Sequence, residues 1–244
     1  MRDRLLLMLR VTLSFALLTA CAVGMLLIAA LTLFQCRRWY SERIATPCGR
    51  LVLRLWGIRL AVHRKAPFPQ AQTIFISNHS STIDLFALIA LGLPNTRFFL
   101  SGYLRTLLPL GLIGYLIGVF WTVPQKYPAR RMRIFRRAER ILRRTGESVF
   151  LSPEGTRVTT GRIGHFNKGA FHLATVLHAP IMPIFLFIPQ SINPGRGLHA
   201  RSGEVQVHLR APIDTADWRI ENLEANRDRM REFYIHWQDE LERR

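Results

Sequence analysis

The chain is 244 residues long and 49% hydrophobic, with 34 Lys and Arg against 16 Asp and Glu, a formal net charge of +18. That length holds one sizeable domain and an appendage. The charge alone would suit a nucleic-acid binder, but the apolar content would not, and no nucleic-acid motif accompanies it; a protein lying on an anionic membrane accounts for both. Cys21, Cys36 and Cys48 form no CxxC pair and no metal-ligand spacing. They argue against a disulfide framework and for a reducing compartment, so the main domain is expected on a cytoplasmic face.

Residues 11–34 run 24 positions without a charge. As a helix they would span about 36 Å, enough for a hydrocarbon core of about 30 Å. The rival reading is a cleaved leader with Arg2, Arg4 and Arg10 as its basic flank. The run is long for such a core, and Arg37 and Arg38 stand where small residues would mark cleavage. Arginines flank both ends, so a single span and a one-leaflet insertion both stay open. Residues 37–60 mix Arg with Trp, Leu and Val, which predicts an interfacial helix along the headgroups with snorkelling arginines. Residues 1–58 are expected to form a membrane-anchoring helical segment and residues 59–244 the remaining domain.

Past residue 60 the pattern alternates. "TIFISN", "TRFFLSG", "GVFWTV", "SVFLSPEG", "PIMPIFLFI" and "VQVHLRAP" read as strands, several apolar on both faces. "TIDLFALIALG", "YLRTLLPLGLIGYLIG", "PARRMRIFRRAERILRRTG" and "NKGAFHLATVLH" read as helices, and a last helix is expected over residues 218–243. Strands buried on both sides and separated by helices predict an α/β domain, its sheet largely parallel or mixed and flanked by helices. "INPGRGLHARSG" is the clearest loop. The arginine-rich helix puts Phe135, Ala138, Ile141 and Leu142 on one side; its arginines form either a solvated face or a surface for anionic headgroups or an acidic partner.

The stretch "SNHSSTIDLF" supports two readings. Ser81 and Asp84 fit a capping box, which would make Asp84 structural and His79 a loop residue. Alternatively, His79 lies in the turn after a strand, and Asp84 points back to it from the first turn of the helix. Five positions apart on one helix the two side chains would diverge by about 140°. In the turn, the carboxylate can fix the imidazole tautomer and leave the other nitrogen to take a proton. Both readings demand the same backbone.

A second constellation, "FLSPEGTRVTTGRIGHFNKGAFHLA", sets Glu154, Gly155, Thr156 and Arg157 directly after a strand, with Lys168 opening the next helix. Glycine lets backbone amides approach an anion, arginine can grip a phosphate with two hydrogen bonds, and a helix start favours negative charge. There is no GxSxG elbow, no P-loop and no clustered metal-ligand set. A His/Asp pair beside a phosphate grip, on a membrane-attached α/β domain, points to transfer chemistry on a lipid phosphate.

"NHSSTID" resembles the NHxxxxD motif of the glycerolipid acyltransferases, and "SPEGTR" their PEGTR motif. "FNKGAFHLA" is similar to the Lys-Gly segment that follows, and "APIMPI" to the proline-containing fourth motif. The four occur in family order over residues 74–184, and the 1-acyl-sn-glycerol-3-phosphate acyltransferase branch is the nearest in pattern.

The resemblance implies acyl transfer from acyl-CoA or an acyl carrier protein to the hydroxyl of a lysophospholipid. His79 would be the general base and Asp84 its orienting partner. Glu154, Gly155, Thr156 and Arg157, with Lys168, would hold or shape the acceptor-phosphate site. Neither a metal nor a cofactor is required, because the thioester is already activated.

Two positions depart from the family pattern. Pro124 stands where the second motif usually ends in arginine, with Lys126, Arg130 and Arg131 nearby, and Ser152 stands where phenylalanine is common. These departures bear on the acceptor, which could be a lyso-ornithine lipid or another lysophospholipid. From another class, the rival is a catalytically silent lipid-binding protein.

Overall fold

Alternation along the strands decides which of two cores each side chain joins. In the computed structural model, which describes residues 2–64, 66–193, 195 and 200–243, strand β2 (Ile74–Ser77) sends Phe75 to one core and Ile74 and Ile76 to the other. The described strands form one mixed sheet: β1 (Ile58–Arg64), β2, β3 (Thr96–Ser101), β4 (Phe120–Thr122), β5 (Ser148–Leu151), β6 (Ile181–Phe187) and β7 (Gly203–Leu209). Their spatial order is β1-β7-β6-β2-β5-β3-β4, parallel throughout except for the β6–β7 pair. The α/β fold with a largely parallel, mixed sheet is as expected.

Helices cover both faces. On the Phe75 side lie α1 (Arg2–Leu31), α3 (Thr46–Leu55), α4 (Ile83–Leu91) and α5 (Leu108–Leu116). On the Ile74 side lie α6 (Pro128–Thr145), α7 (Gly169–Leu177) and α8 (Leu223–Glu242). In α6 the expected stripe is seen: Ala138 and Leu142 are fully buried, with Phe135 and Ile141 packed beside them.

Helix α1 begins earlier than the uncharged run and ends at Leu31, where Leu33 and Phe34 take left-handed conformations with φ of 50° and 61°. At 30 residues it is about 45 Å long. Ala22, Met25 and Ala29 are buried in the core shared with α3 and α5, while Leu5, Met8, Phe15, Leu27 and Leu31 stay exposed. It is long and apolar enough to cross a membrane.

Four expectations need correction. Residues 37–60 are not one interfacial helix. A short α2 (Arg37–Tyr40), a π-turn (Ser41–Ala45) and α3 carry the chain to Leu55, and Gly57, at φ +66°, ends the helical path. Strand β1 then starts at Ile58, where the sequence changes to alternation, so this strand was missed. The apolar side of the helical part is covered by protein: Tyr40, Cys48, Val52 and Leu53 are buried, and α3 packs on α4. "YLRTLLPLGLIGYLIG" divides into a 3-10 turn (Gly102–Thr106) and α5, because Pro109 disfavours helix before it and can be tolerated only at a helix start. The last helix starts at Leu223, after a 3-10 turn, and Trp218 is a buried core residue ahead of it. Pro194 and residues 196–199 of the expected loop lie outside the described residues.

Candidate active site

Adjacent parallel strands bring together two segments far apart in sequence. β2 and β5 pair with Ile76 opposite Leu151. Three residues beyond each partner come His79 and Glu154, so both motifs leave the sheet at the same carboxyl edge, where ligand sites of such folds form.

The two loops are stitched by backbone hydrogen bonds. The His79 N–H donates to Glu154 Oε2 at 2.5 Å, and the Val158 N–H donates to the His79 carbonyl at 2.8 Å. Glu154 Oε1 accepts from the Gly164 N–H at 2.7 Å. Glu154 is only 4% exposed, and burial raises its pKa above the ordinary carboxylate value, partly offset by those two backbone donors. Gly155 turns the chain at φ +68°, where a β-carbon would lie 3.0 Å from Asn167 Nδ2. On the other side, Asn78 is pinned to β6: its Oδ1 accepts from the Leu186 N–H at 2.8 Å and its Nδ2 donates to the Leu186 carbonyl at 3.0 Å.

Within this frame His79 Nδ1 lies 2.7 Å from Asp84 Oδ2. The same oxygen accepts from the N–H groups of Ser80 at 2.8 Å and Ser81 at 3.0 Å. The carboxylate half of the capping box therefore forms, while Ser81 Oγ accepts from the Ile83 N–H, two residues on. The capping role and the His/Asp pair coexist on one carboxylate. Asp84 is 1% exposed, and all of these contacts fall on Oδ2, while Oδ1 is buried without a partner among the described residues. No protein hydrogen bond to His79 Nε2 occurs among the described residues, which leaves that nitrogen available for a proton from a bound hydroxyl.

His79 and Asp84 open into a cavity of about 460 Å³. Leu85, Leu88, Phe98, Leu104, Phe135 and Phe150 give it an apolar wall, and Thr122, Gln125, Arg131, Ser152, Gly155 and Thr156 add polar groups. Of the residues expected at the site, His79, Asp84, Gly155 and Thr156 line this cavity, and Glu154 stands behind His79 holding its loop. Arg157 is elsewhere: its Nη1 donates to Thr82 Oγ1 at 2.7 Å and to the Gly195 carbonyl at 3.3 Å. Lys168 is the N-cap residue of α7 and its ammonium pairs with Glu224.

Two supporting residues were given no role by the reading of the sequence. Asn78 opens the NHxxxxD-like stretch, but nothing local shows that its side chain ties the loop to β6. Tyr234, in α8, is fully buried with its pKa pushed well up by that burial; its hydroxyl accepts from the Ile184 N–H at 3.1 Å and lies 2.9 Å from the Ile76 carbonyl. A tyrosine some 155 residues beyond the histidine carries no local sign of such a role.

The Acyltransferase family model matches residues 59–186. A 1-acyl-sn-glycerol-3-phosphate acyltransferase of Limnanthes alba is 26% identical over 237 residues, covering 91% of this chain and 78% of that protein. The bovine 1-acyl-sn-glycerol-3-phosphate acyltransferase alpha is 30% identical over 181 residues, covering 72% of this chain and 62% of its own length. The crystal structure of the 1-acyl-sn-glycerophosphate (LPA) acyltransferase PlsC from Thermotoga maritima superposes with a TM-score of 0.84 at 19% identity, covering 100% of this chain and 97% of that one, a likeness of fold. The family match spans more than half of the chain and includes both strand-end loops, from Asn78 to Val158. The chain belongs to the acyltransferase family, and the relatives it resembles are 1-acyl-sn-glycerol-3-phosphate acyltransferases.

Proposed function

We propose that this protein moves a fatty acyl group from an acyl-CoA or acyl carrier protein thioester to the free hydroxyl of 1-acyl-glycerol-3-phosphate, giving phosphatidic acid. The observation that carries this reading is the 2.7 Å contact between His79 Nδ1 and the buried Asp84 at the wall of a largely apolar cavity. Asp84 holds the imidazole with its proton on Nδ1, and Nε2 takes the acceptor's hydroxyl proton. The hydroxyl oxygen attacks the thioester carbonyl carbon, the carbon–sulfur bond breaks, and the proton passes from Nε2 to the departing thiolate. A pair of this kind is generally worth about 10²- to 10⁴-fold in rate.

The cavity's leucines and phenylalanines suit an acyl chain. Gly155 and Thr156 shape the acceptor's anionic end, with Glu154 holding the loop from behind and Arg157 next in the chain as a source of positive potential; Lys168, being paired with Glu224, contributes less. Helix α1 serves as the membrane anchor: its exposed leucines have no protein cover among the described residues, and a bilayer would cover them.

Ser152 Oγ is buried in the cavity wall without a hydrogen-bond partner among the described residues, which gives a specific reason to try acceptors with an additional polar group. The test is transfer of labelled acyl groups, from acyl-CoA and from acyl carrier protein, by the detergent-purified chain to a panel of lyso-lipids. Phosphatidic acid as the main product supports the assignment. Product only with a lyso-ornithine lipid or another lysophospholipid would move the acceptor, and no product with any acceptor would favour a silent lipid binder.

A further inference from the structure

Among the described residues that line the His79 cavity, Arg131 carries the only guanidinium. Seven of the eight arginines of the α6 segment are exposed, and Arg131 is the half-buried exception. It occupies the first turn of the helix, where the helix dipole disfavours a cation, and burial lowers its pKa. A cation placed so should find an anion. Arg97, 8% exposed, has one, with Nε 2.6 Å from Glu147 Oε2. Arg131 does not: among the described residues no carboxylate lies within ion-pair distance, and the one hydrogen bond of its side chain runs from Nη1 to the Val123 carbonyl at 3.3 Å.

The other nearby cations are engaged elsewhere. Lys126 and Arg130 each lie over the Tyr127 ring, 5.2 Å from its centroid, and do not line the cavity. Arg157 reaches Thr82 and Gly195. What remains is an unpaired guanidinium fork facing the space that holds the proposed base, the geometry that matches a phosphate.

We propose that Arg131 is the cavity residue that binds the phosphate of the lyso-lipid acceptor. The inference rests on the reading of that acceptor as a phosphorylated lyso-lipid. Donor acyl-CoA also carries phosphates, and kinetics separate the two sources. In the full-length, detergent-purified chain, Arg131→Gln should raise the acceptor KM roughly 10- to 100-fold, the worth of a charge-assisted contact, and leave the donor KM and kcat nearly unchanged. Arg131→Lys keeps the charge without the fork and should fall between Gln and Arg. A residue that only capped the Val123 carbonyl would leave the acceptor KM in place.

Binding is read separately from turnover, by calorimetric titration of lysophosphatidic acid and uncharged monoacylglycerol. The parent chain should prefer the phosphorylated lipid, and Arg131→Gln should lose that preference. An unchanged acceptor KM with the preference intact overturns the Arg131 assignment and leaves the reaction standing. A rise confined to the donor KM overturns it in favour of the donor's phosphates. A parent chain with no preference for the phosphorylated lipid contradicts both this inference and the acceptor reading beneath it.

Discussion

The main-chain N–H of His79 donates to the carboxylate of Glu154, 75 residues away in sequence, at 2.5 Å. The bond exists because β2 and β5 are parallel neighbours in register, so that loops leaving Ile76 and Leu151 run side by side. A buried acid thus holds the loop that carries the imidazole, and Asp84 Oδ2 lies 2.7 Å from that imidazole's Nδ1.

Glu154→Gln should loosen that loop. A glutamine offers one acceptor oxygen where the carboxylate serves both His79 and Gly164, so one buried N–H loses its partner at a cost of about 1–3 kcal/mol. Denaturant unfolding reads the loss, and kcat should fall with it.

The same residue gives a pH signature. Burial raises the folded-state pKa of Glu154 above its unfolded value, so the folded protein holds the proton more tightly. Its contribution is fully present below the ordinary glutamate range and is lost as pH rises through the raised folded value. The stability of the parent chain relative to Glu154→Gln should therefore decline with rising pH across that window. A difference that rises with pH, or stays flat, contradicts the assigned cause.

Tyr234→Phe removes a hydroxyl that accepts from the Ile184 N–H and lies within hydrogen-bond distance of the Ile76 carbonyl. A loss of about 1–3 kcal/mol is expected, because a buried N–H is left unmet. Assayed well below its melting temperature, the variant should keep most of its activity, since Tyr234 does not line the cavity.

Leu27→Asp tests the anchor. Leu27 is 60% exposed on the unpartnered side of α1, so the substitution leaves the core intact. Membrane fractions should lose the protein while its circular dichroism is unchanged; a variant that stays bound would count against α1 as the membrane contact.

Most of the sheet was legible in the sequence because "TIFISN", "SVFLSPEG" and their counterparts are short apolar runs bounded by turn residues. Strand β1 was not, because its alternation follows an arginine-rich helix without a break in composition, and only Gly57 marks the boundary. The His79–Asp84 contact was readable as a possibility from spacing, whereas its coexistence with the cap required coordinates, since three donors converge on one oxygen. Lys168 and Arg157 show the limit of linear motifs. Both follow the loop that suggested a phosphate grip, yet one turns to Glu224 and the other to Thr82. The direction of a long side chain depends on partners remote in sequence, and no local pattern encodes it.

Asp84→Asn should lower kcat by about 10²- to 10⁴-fold with little change in either KM, because the amide no longer enforces the proton on Nδ1. The fold should survive, since the side-chain oxygen can still accept from the Ser80 and Ser81 N–H groups.

The most direct measurement is single-turnover acyl transfer to lysophosphatidic acid by the parent chain and by His79→Ala, with unfolding temperature and membrane retention read on the same preparations. The account predicts that the variant folds and binds membranes as the parent does while transfer slows by about 10²- to 10⁴-fold. Undiminished transfer by a folded His79→Ala protein would contradict the assignment of His79 as the base.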